Sequence, residues 1–347
     1  MSSGTGYRAL REEAGALEVG RDVVRVSGPD AEAYLQGQTS QDIAKLSPGG
    51  WAWALVLQPQ GKLDVFVRVY RVAEDEFLLD SDPGMGAPLV ARLTRFKLRT
   101  KVDVEQLPWR AVAVRGPKAV LPTVRPADAG GDLIAVPFEW GNMSGYDLLG
   151  PSPAPPPGAA GVEADDYEAV RVEAGYPTHG RELDDRTIPA EAGLVEATVS
   201  FTKGCYTGQE LVARIDSRGS NVPRHLRGLL LSGPAPTGAR LYRLPLADGP
   251  NGGPAPGRGG GAKEAASSAP AAPSPGAGET APARGGGASA PEASPKDVGR
   301  LTSVALSPRL GWVALGYVGR AVELGSTLVG REEEGEFEAR VESLPLA

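Results

Sequence analysis

The chain has 347 residues, enough for two or three domains, and a formal charge of −7 from 36 basic and 43 acidic side chains. That balance offers no basic excess for gripping phosphate backbones, which argues against a broad nucleic-acid surface but not against a local basic groove. Apolar residues reach 41% and aromatics only 6%, while 47 Gly and 32 Pro mark a chain with much turn or unordered backbone.

In chain order, Val23–Val26 reads as a strand, and Ser27, Pro29 and Asp30 open a short helix that Gly37 closes. Trp51–Leu57 and Leu63–Tyr70 form a hairpin around Gln58-Pro-Gln-Gly61. Strand Glu76–Leu79, an amphipathic helix Ala87–Phe96 and strand Lys101–Val104 follow. This β-β-β-α-β order predicts an α+β fold, an antiparallel sheet backed by helices. Further strands are expected at Ala111–Val114 and Leu133–Val136, then a stiff proline-rich connector over 150–158. Asp165–Ala174 reads as a helix stopped by Gly175 and Pro177, and Val199–Phe201 as a short extended piece. From Arg227 the chain is strand-rich and predicts a small β-barrel or sandwich.

One stretch breaks this pattern. Residues 249–296 contain no Val, Ile, Leu or aromatic side chain, so they have nothing to bury against their ordering entropy. They are expected to form a disordered linker between strands Ala239–Leu244 and Gly299–Leu306. The expected division is therefore 1–225, with a hairpin lobe at about 51–107, and 226–347, a barrel interrupted by that linker.

Cys205 is the single cysteine, which rules out an intramolecular disulfide. The start lacks the apolar core of a signal peptide, and no window approaches the ~20 apolar residues of a membrane span. A cytoplasmic protein away from the membrane is expected. No zinc pattern, P-loop, dinucleotide fingerprint or Ser-His-Asp set is apparent, and no metal site is expected.

Phe201-Thr-Lys-Gly-Cys-Tyr-Thr-Gly-Gln-Glu210 is the segment with chemical content. Thr207 and Glu210 have capping-box spacing ahead of an apolar face made by Leu211, Val212 and Ile215. Cys205 would then sit near the positive end of a helix, with Lys203 two residues away, and both effects favour the thiolate. Gly204 and Gly208 would leave the backbone open to a ligand. A plainer reading makes Cys205 a small buried hydrophobe, Lys203 a solvated charge and Glu210 only a cap. One thiol cannot by itself hold an iron–sulfur cluster.

This block resembles the signature of YgfZ-type folate-binding proteins, relatives of the glycine-cleavage T-protein, an aminomethyltransferase. Further matches run in order: Tyr34–Asp42, Gly61-Lys62, Arg171-Val-Glu-Ala-Gly175, Gly180-Arg-Glu182, Ile188–Gly193 and Gly299–Ser303. The resemblance implies a three-lobed fold around a channel for tetrahydrofolate or a one-carbon derivative, the last lobe being a small barrel. It implies that Glu173, beside Arg171, hydrogen-bonds the pterin, and that Tyr34, Gln38 and Asp42 line the loop beside the folate. It places Cys205 and Lys203 at the chemical centre.

One departure matters. Where T-proteins carry a hairpin-strand Asp that assists aminomethyl transfer, this chain has Phe66, which cannot carry charge. Asp64, two residues earlier, is expected on the same strand face. The resemblance therefore implies an accessory role in iron–sulfur cluster assembly or repair, serving iron–sulfur enzymes that include tRNA-modifying ones. Its partners would be iron–sulfur assembly proteins or client enzymes. An aminomethyltransferase and a non-enzymatic scaffold are the alternatives, and whether the chain catalyses a reaction is left open. His179 is expected as a hydrogen-bonded structural residue, with a place in the channel as the alternative, His225 has no assigned role, and Asp184-Asp-Arg186 reads as a salt-bridged loop in preference to a channel rim.

Overall fold

The computed structural model describes residues 4–122, 133–219, 221–243, 296–332 and 335–347. Helix α1 (Thr5–Glu12) leads into β1 (Gly15–Val19), β2 (Asp22–Ser27) and α2 (Ala31–Gln38). The hairpin is β3 (Trp51–Leu57) and β4 (Leu63–Ala73), followed by β5 (Glu76–Ser81), α3 (Gly86–Phe96) and β6 (Asp103–Leu107). Next come β7 (Arg110–Arg115), β8 (Ile134–Trp140), β9 (Met143–Gly150) and the two-residue β10 (Ala160–Gly161). Helices α4 (Ala164–Ala174), α5 (Val195–Thr198) and α6 (Gln209–Asp216) precede the tail. That tail holds β11 (Arg224–Leu231), β12 (Arg240–Arg243), β13 (Asp297–Ser307), β14 (Gly311–Gly319), β15 (Thr327–Glu332) and β16 (Gly335–Glu342).

These strands make three sheets. An antiparallel sheet in the order β3-β4-β5-β2-β6 is the one expected from the first hundred residues. A second five-stranded sheet has the order β10-β1-β7-β9-β8, antiparallel except for the β1–β10 pair. The tail closes as a six-stranded barrel, β11-β14-β13-β12-β15-β16, so the α+β reading and the barrel both hold. Residues 249–295, expected to be unstructured, lie outside the described residues. The strands on either side, β12 and β13, pair directly, with Arg240 opposite Arg300.

Alternation along β3 and β4 sends their side chains to two cores. Ala54, Val56, Val65 and Val67 face α2 and α3, where Leu35, Leu89 and Leu93 cover them. Trp53, Leu55 and Phe66 face the other way and meet Phe138 of β8, Tyr176 beyond α4, and Leu315 and Tyr317 of the barrel. All three sheets therefore share one apolar centre. Trp53 and Phe66 lie 4.9 Å apart between ring centroids, and Trp140 is 5.5 Å from Phe66 and 5.6 Å from Tyr176.

Beside that centre, buried charges join the first two sheets. Arg68 on β4 is fully buried and reaches Asp80 at 2.9 Å and Asp147 on β9 at 2.8 Å. Arg21 binds Asp80 and Asp82 at 2.6 and 2.7 Å, and Arg115 binds Asp147 at 2.7 Å. Burial opposes the charge on Asp147, but the facing Arg115 and Arg68 hold its carboxyl below the usual range.

Several element limits differ from expectation. Ser27 ends β2 instead of capping a helix, and α2 runs past Gly37 to Gln38. The strand expected at Lys101–Val104 sits at Asp103–Leu107, where it pairs with β2. Val199–Phe201 is not a strand. Helix α1 and strands β1, β9 and β10 are not among the expected elements.

The buried chain of charges predicts that Arg68→Met destabilises the protein by about 3 kcal/mol, because two aspartates stay buried with less compensation. Equilibrium urea unfolding measures it, and an unchanged midpoint would count against the clamp.

Candidate functional site

The Phe201–Glu210 block lies against the end of α2. A helix leaves its last carbonyls without intrahelical donors, and its C-terminal end favours a cation. Lys203 supplies both needs. Its Nζ donates to the carbonyl oxygens of Gln36, Thr39 and Gln41 at 2.6, 2.6 and 2.9 Å. Thr207 N–H donates to the Gly37 carbonyl at 3.2 Å, and Ser200 N–H to that of Ser40 at 3.0 Å. The block is thus a C-terminal cap for α2 delivered from more than 160 residues away. Burial pulls the Lys203 pKa down to about 8, with Asp42 pulling the other way. An ammonium has three N–H donors, and all three are used, so none is left for the Cys205 sulfur.

Cys205 is exposed, not the small buried hydrophobe of the plainer reading. The expected capping box does not form. Helix α6 begins at Gln209 with Gly208 as its cap, no side chain bonds its first amides, and Glu210 is exposed. Instead Gln209 turns back, its Oε1 accepting the Tyr206 N–H at 3.2 Å. Gly208 is not open to a ligand either. It has φ +82°, and a Cβ there would lie 2.5 Å from the Gln58 carbonyl oxygen and 3.2 Å from Gly61 Cα. The turn of the β3–β4 hairpin therefore rests backbone to backbone on the block, and that contact requires glycine.

Tyr34, Gln38 and Asp42 are drawn to the same region, but each already has protein partners. Tyr34 is buried and its hydroxyl donates to the Leu93 carbonyl; burial pushes its pKa up to about 12. Gln38 Oε1 accepts from Arg92 at 3.1 Å. Asp42 accepts from Gln36 Nε2 at 2.8 Å and pairs with Lys45, contacts that hold its carboxyl below the usual range.

Phe66 is 2% exposed within the aromatic centre. Asp64 does not share its face, contrary to expectation. Pairing steps from Val56–Val65 to Leu57–Leu63, so Asp64 is the extra residue of a β-bulge. The bulge swings it toward α3, where Arg92 Nε binds it at 3.0 Å. His179 bonds as expected: Nε2 accepts the Phe66 amide at 3.0 Å, and its own amide donates to Asp82 at 2.8 Å. The 184–187 loop is held by Asp184, which accepts from Arg186 N–H and the Thr187 hydroxyl, both at 2.9 Å, and not by a salt bridge.

Arg171 and Glu173, neighbours in sequence, serve different surroundings. The Arg171 guanidinium is buried and bound to Glu168, Glu182, Ser303 and the Tyr176 carbonyl, which locks α4 to the barrel. Glu173 is fully buried. Both its oxygens accept from the Tyr7 hydroxyl, at 2.9 and 3.1 Å, Arg11 forms a close ion pair with it, and Arg309 stands 3.6 Å away. Tyr7, Arg11 and Arg309 escaped the sequence reading. Helix α1 has a readable apolar face in Tyr7 and Leu10, but nothing in the sequence links Arg309 to Glu173. These three residues line a cavity of about 490 Å³ with Asn142, Pro308 and Leu346. Among the described residues no group of three His, Cys, Asp or Glu side chains is placed to hold a metal ion, and no helix is long and apolar enough to cross a membrane.

Comparison with known proteins agrees with this architecture. Residues 2–141 match the GCVT N-terminal domain. The iron–sulfur cluster assembly factor IBA57, mitochondrial, of Mus musculus is 32% identical over 243 residues, covering 62% of this chain and 66% of that protein. The tRNA-modifying protein YgfZ of Escherichia coli O157:H7 is 26% identical over 223 residues, covering 56% and 65%. The matches thus span just under two thirds of each of these relatives. The glycine cleavage system aminomethyltransferase T from Bartonella henselae superposes with a TM-score of 0.71 at 20% identity, covering 99% of this chain and 88% of that one, a likeness of fold. Residues 2–141 are thus similar to a GCVT N-terminal domain, and the chain's resemblance to the YgfZ and T-protein group stands.

A pH dependence follows from His179. To accept the Phe66 amide its imidazole must be neutral, and burial lowers its pKa, with Asp82 opposing and Arg21 assisting. As pH falls below the unfolded value of about 6.5, the unfolded chain takes up the proton first and the folded state loses stability. Thermal unfolding between pH 7 and 5 should show a steeper loss in the wild type than in His179→Gln. Parallel pH profiles would contradict this role.

Proposed function

We propose that this GCVT-domain protein is a cytoplasmic, tetrahydrofolate-binding accessory factor in iron–sulfur cluster assembly or repair, acting through Cys205. The observation that carries the reading is the placement of Cys205: an exposed thiol on a short loop whose two ends are fixed by Lys203 and Gly208. A thiolate is a sulfur nucleophile and an iron ligand, and a fixed, accessible one suits handing sulfur or cluster to another protein. A single thiol needs ligands from elsewhere, so the partner is an iron–sulfur assembly protein or a client enzyme. The names of the IBA57 and YgfZ relatives point the same way. Lys203 acts as a positioning residue, since its donors are spent on backbone carbonyls.

The Glu173 cavity is the folate site in this reading. Its donors suit the ligand: Arg11 carries a buried Nε–H without an acceptor among the described residues, and Arg309 faces the same space. Bound tetrahydrofolate supplies one-carbon carrier chemistry. Tyr34, Gln38 and Asp42 hold the α2 loop on which the Cys205 block rests, and Arg171 holds α4, which carries Glu173. Aminomethyl transfer is the weaker reading, because Phe66 is uncharged within the aromatic centre and Asp64 is turned away and paired with Arg92.

Complementation tests the proposal. In a strain lacking the gene, Cys205→Ala should leave iron–sulfur enzyme activity at the level of the deletion, although the variant folds normally. Full restoration by Cys205→Ala would remove the thiol from the function.

A further inference from the structure

Helix α3 ends on a residue that is unfavourable to the fold in two ways. Lys97 caps the helix with helical angles, and Leu98 then turns into the left-handed region with φ +43°. That position ordinarily takes glycine, because a Cβ there crowds the following carbonyl oxygen. Among the described residues Leu98 is the one non-glycine residue with positive φ, and it is 90% exposed. Backbone contacts secure the turn: the Thr100 amide donates to the Lys97 carbonyl at 3.0 Å, and the Lys101 amide to Asp30 Oδ2 at 2.7 Å. The leucine side chain thus adds backbone strain and exposed apolar surface, and it contributes no burial in return.

The same stretch is cationic in a chain of net charge −7, with Arg92, Arg95, Lys97, Arg99 and Lys101 in close succession. Arg92 binds Asp64 at 3.0 Å, and Lys97 stands 3.6 Å from Asp103. Arg95 lies in the last turn of α3, where the helix dipole favours a cation. Arg99 and Lys101 lie beyond the helix, are exposed, and form no ion pair among the described residues. An apolar tip beside two uncompensated cations matches a protein face with an apolar recess edged by carboxylates. Nucleic acid fits less well. Phosphates would use the cations and leave Leu98 in water, and Arg92 covers one face of the Phe96 ring, 3.9 Å from its centroid.

We infer that Leu98, Arg99 and Lys101 form a docking surface for an acidic protein partner. Leu98 fills an apolar recess, and the two cations pair with carboxylates at its edge. This loop and the Cys205 block stand at the two ends of α2: Lys101 bonds Asp30 just ahead of the helix, and Lys203 caps its last carbonyls. The eight-residue helix is about 12 Å long, and a partner footprint of about 800 Å² is wide enough to reach both ends. The partner is therefore the protein that Cys205 serves, a statement that rests on the thiol reading above.

The test is photo-cross-linking of the full chain in cells of the deletion strain. p-Benzoylphenylalanine replaces Leu98 in one protein and the exposed Phe201, near Cys205, in another. Mass spectrometry should identify the same protein at both positions, joined to position 98 through an acidic segment. Arg99→Glu with Lys101→Glu should cut both yields at least about tenfold, because like charges then face each other. In the same strain Leu98→Gly should lower iron–sulfur enzyme activity at least about threefold while its thermal unfolding midpoint is unchanged or raised. A loss of activity through misfolding would lower that midpoint instead. No adduct at position 98, an adduct with RNA, or a yield indifferent to the charge reversal overturns the docking surface and leaves the thiol reading in place. Different proteins at positions 98 and 201 overturn the shared partner. Lost activity in Leu98→Gly beside full activity in Cys205→Ala supports the docking surface and removes the thiol reading.

Discussion

The candidate site depends on one ammonium group. Lys203 gathers three carbonyl oxygens at the end of α2, and in doing so ties a segment near residue 205 to one near residue 40. A cation at the negative end of a helix, saturated by otherwise orphaned acceptors, is a favourable arrangement for a half-buried charge. Everything around Cys205 follows from it. The Thr207 amide completes the cap at Gly37, Gly208 comes to rest on the hairpin turn, and the cysteine is left exposed on the loop between them.

A second constraint acts at the junction of the sheets. Trp53, Phe66, Phe138, Trp140 and Tyr176 fill the space where β3, β4 and β8 meet the segment after α4. Arg21, Arg68 and Arg115 with Asp80, Asp82 and Asp147 stitch the adjoining region. His179 connects the two, with Asp82 on its amide and the Phe66 amide on its ring. A centre filled by aromatic rings serves as a rigid support for neighbouring surfaces. The chemistry proposed for this protein accordingly lies at the periphery, at the Cys205 loop and the Glu173 cavity.

Much of this was legible in the residues themselves. Alternating apolar positions marked β3 and β4, the Gln58–Gly61 turn marked their hairpin, and Gly175 marked the end of α4. The special nature of residues 203–208 was also readable, but its cause was not. Lys203 suggested a partner for the thiol, whereas its partners are carbonyls brought near by the fold. Thr207 and Glu210 have the spacing of a capping box, yet packing against the hairpin turn decides the start of α6. Asp64 was placed on the face of Phe66 by strict alternation, and a single-residue bulge reversed it. The Tyr7–Arg11–Arg309 cluster joins residues about 300 positions apart, beyond the reach of any local pattern.

The most direct test of the account is hydrogen exchange in Lys203→Met, which removes the ammonium and keeps a long side chain. If Lys203 holds the two blocks together, amides at 37–43 and 200–208 should exchange at least about tenfold faster, while those of β13 and β14 in the barrel stay as protected as in the wild type. Unchanged exchange at 37–43 would contradict it, and with it the claim that the position of Cys205 is set by the cap on α2.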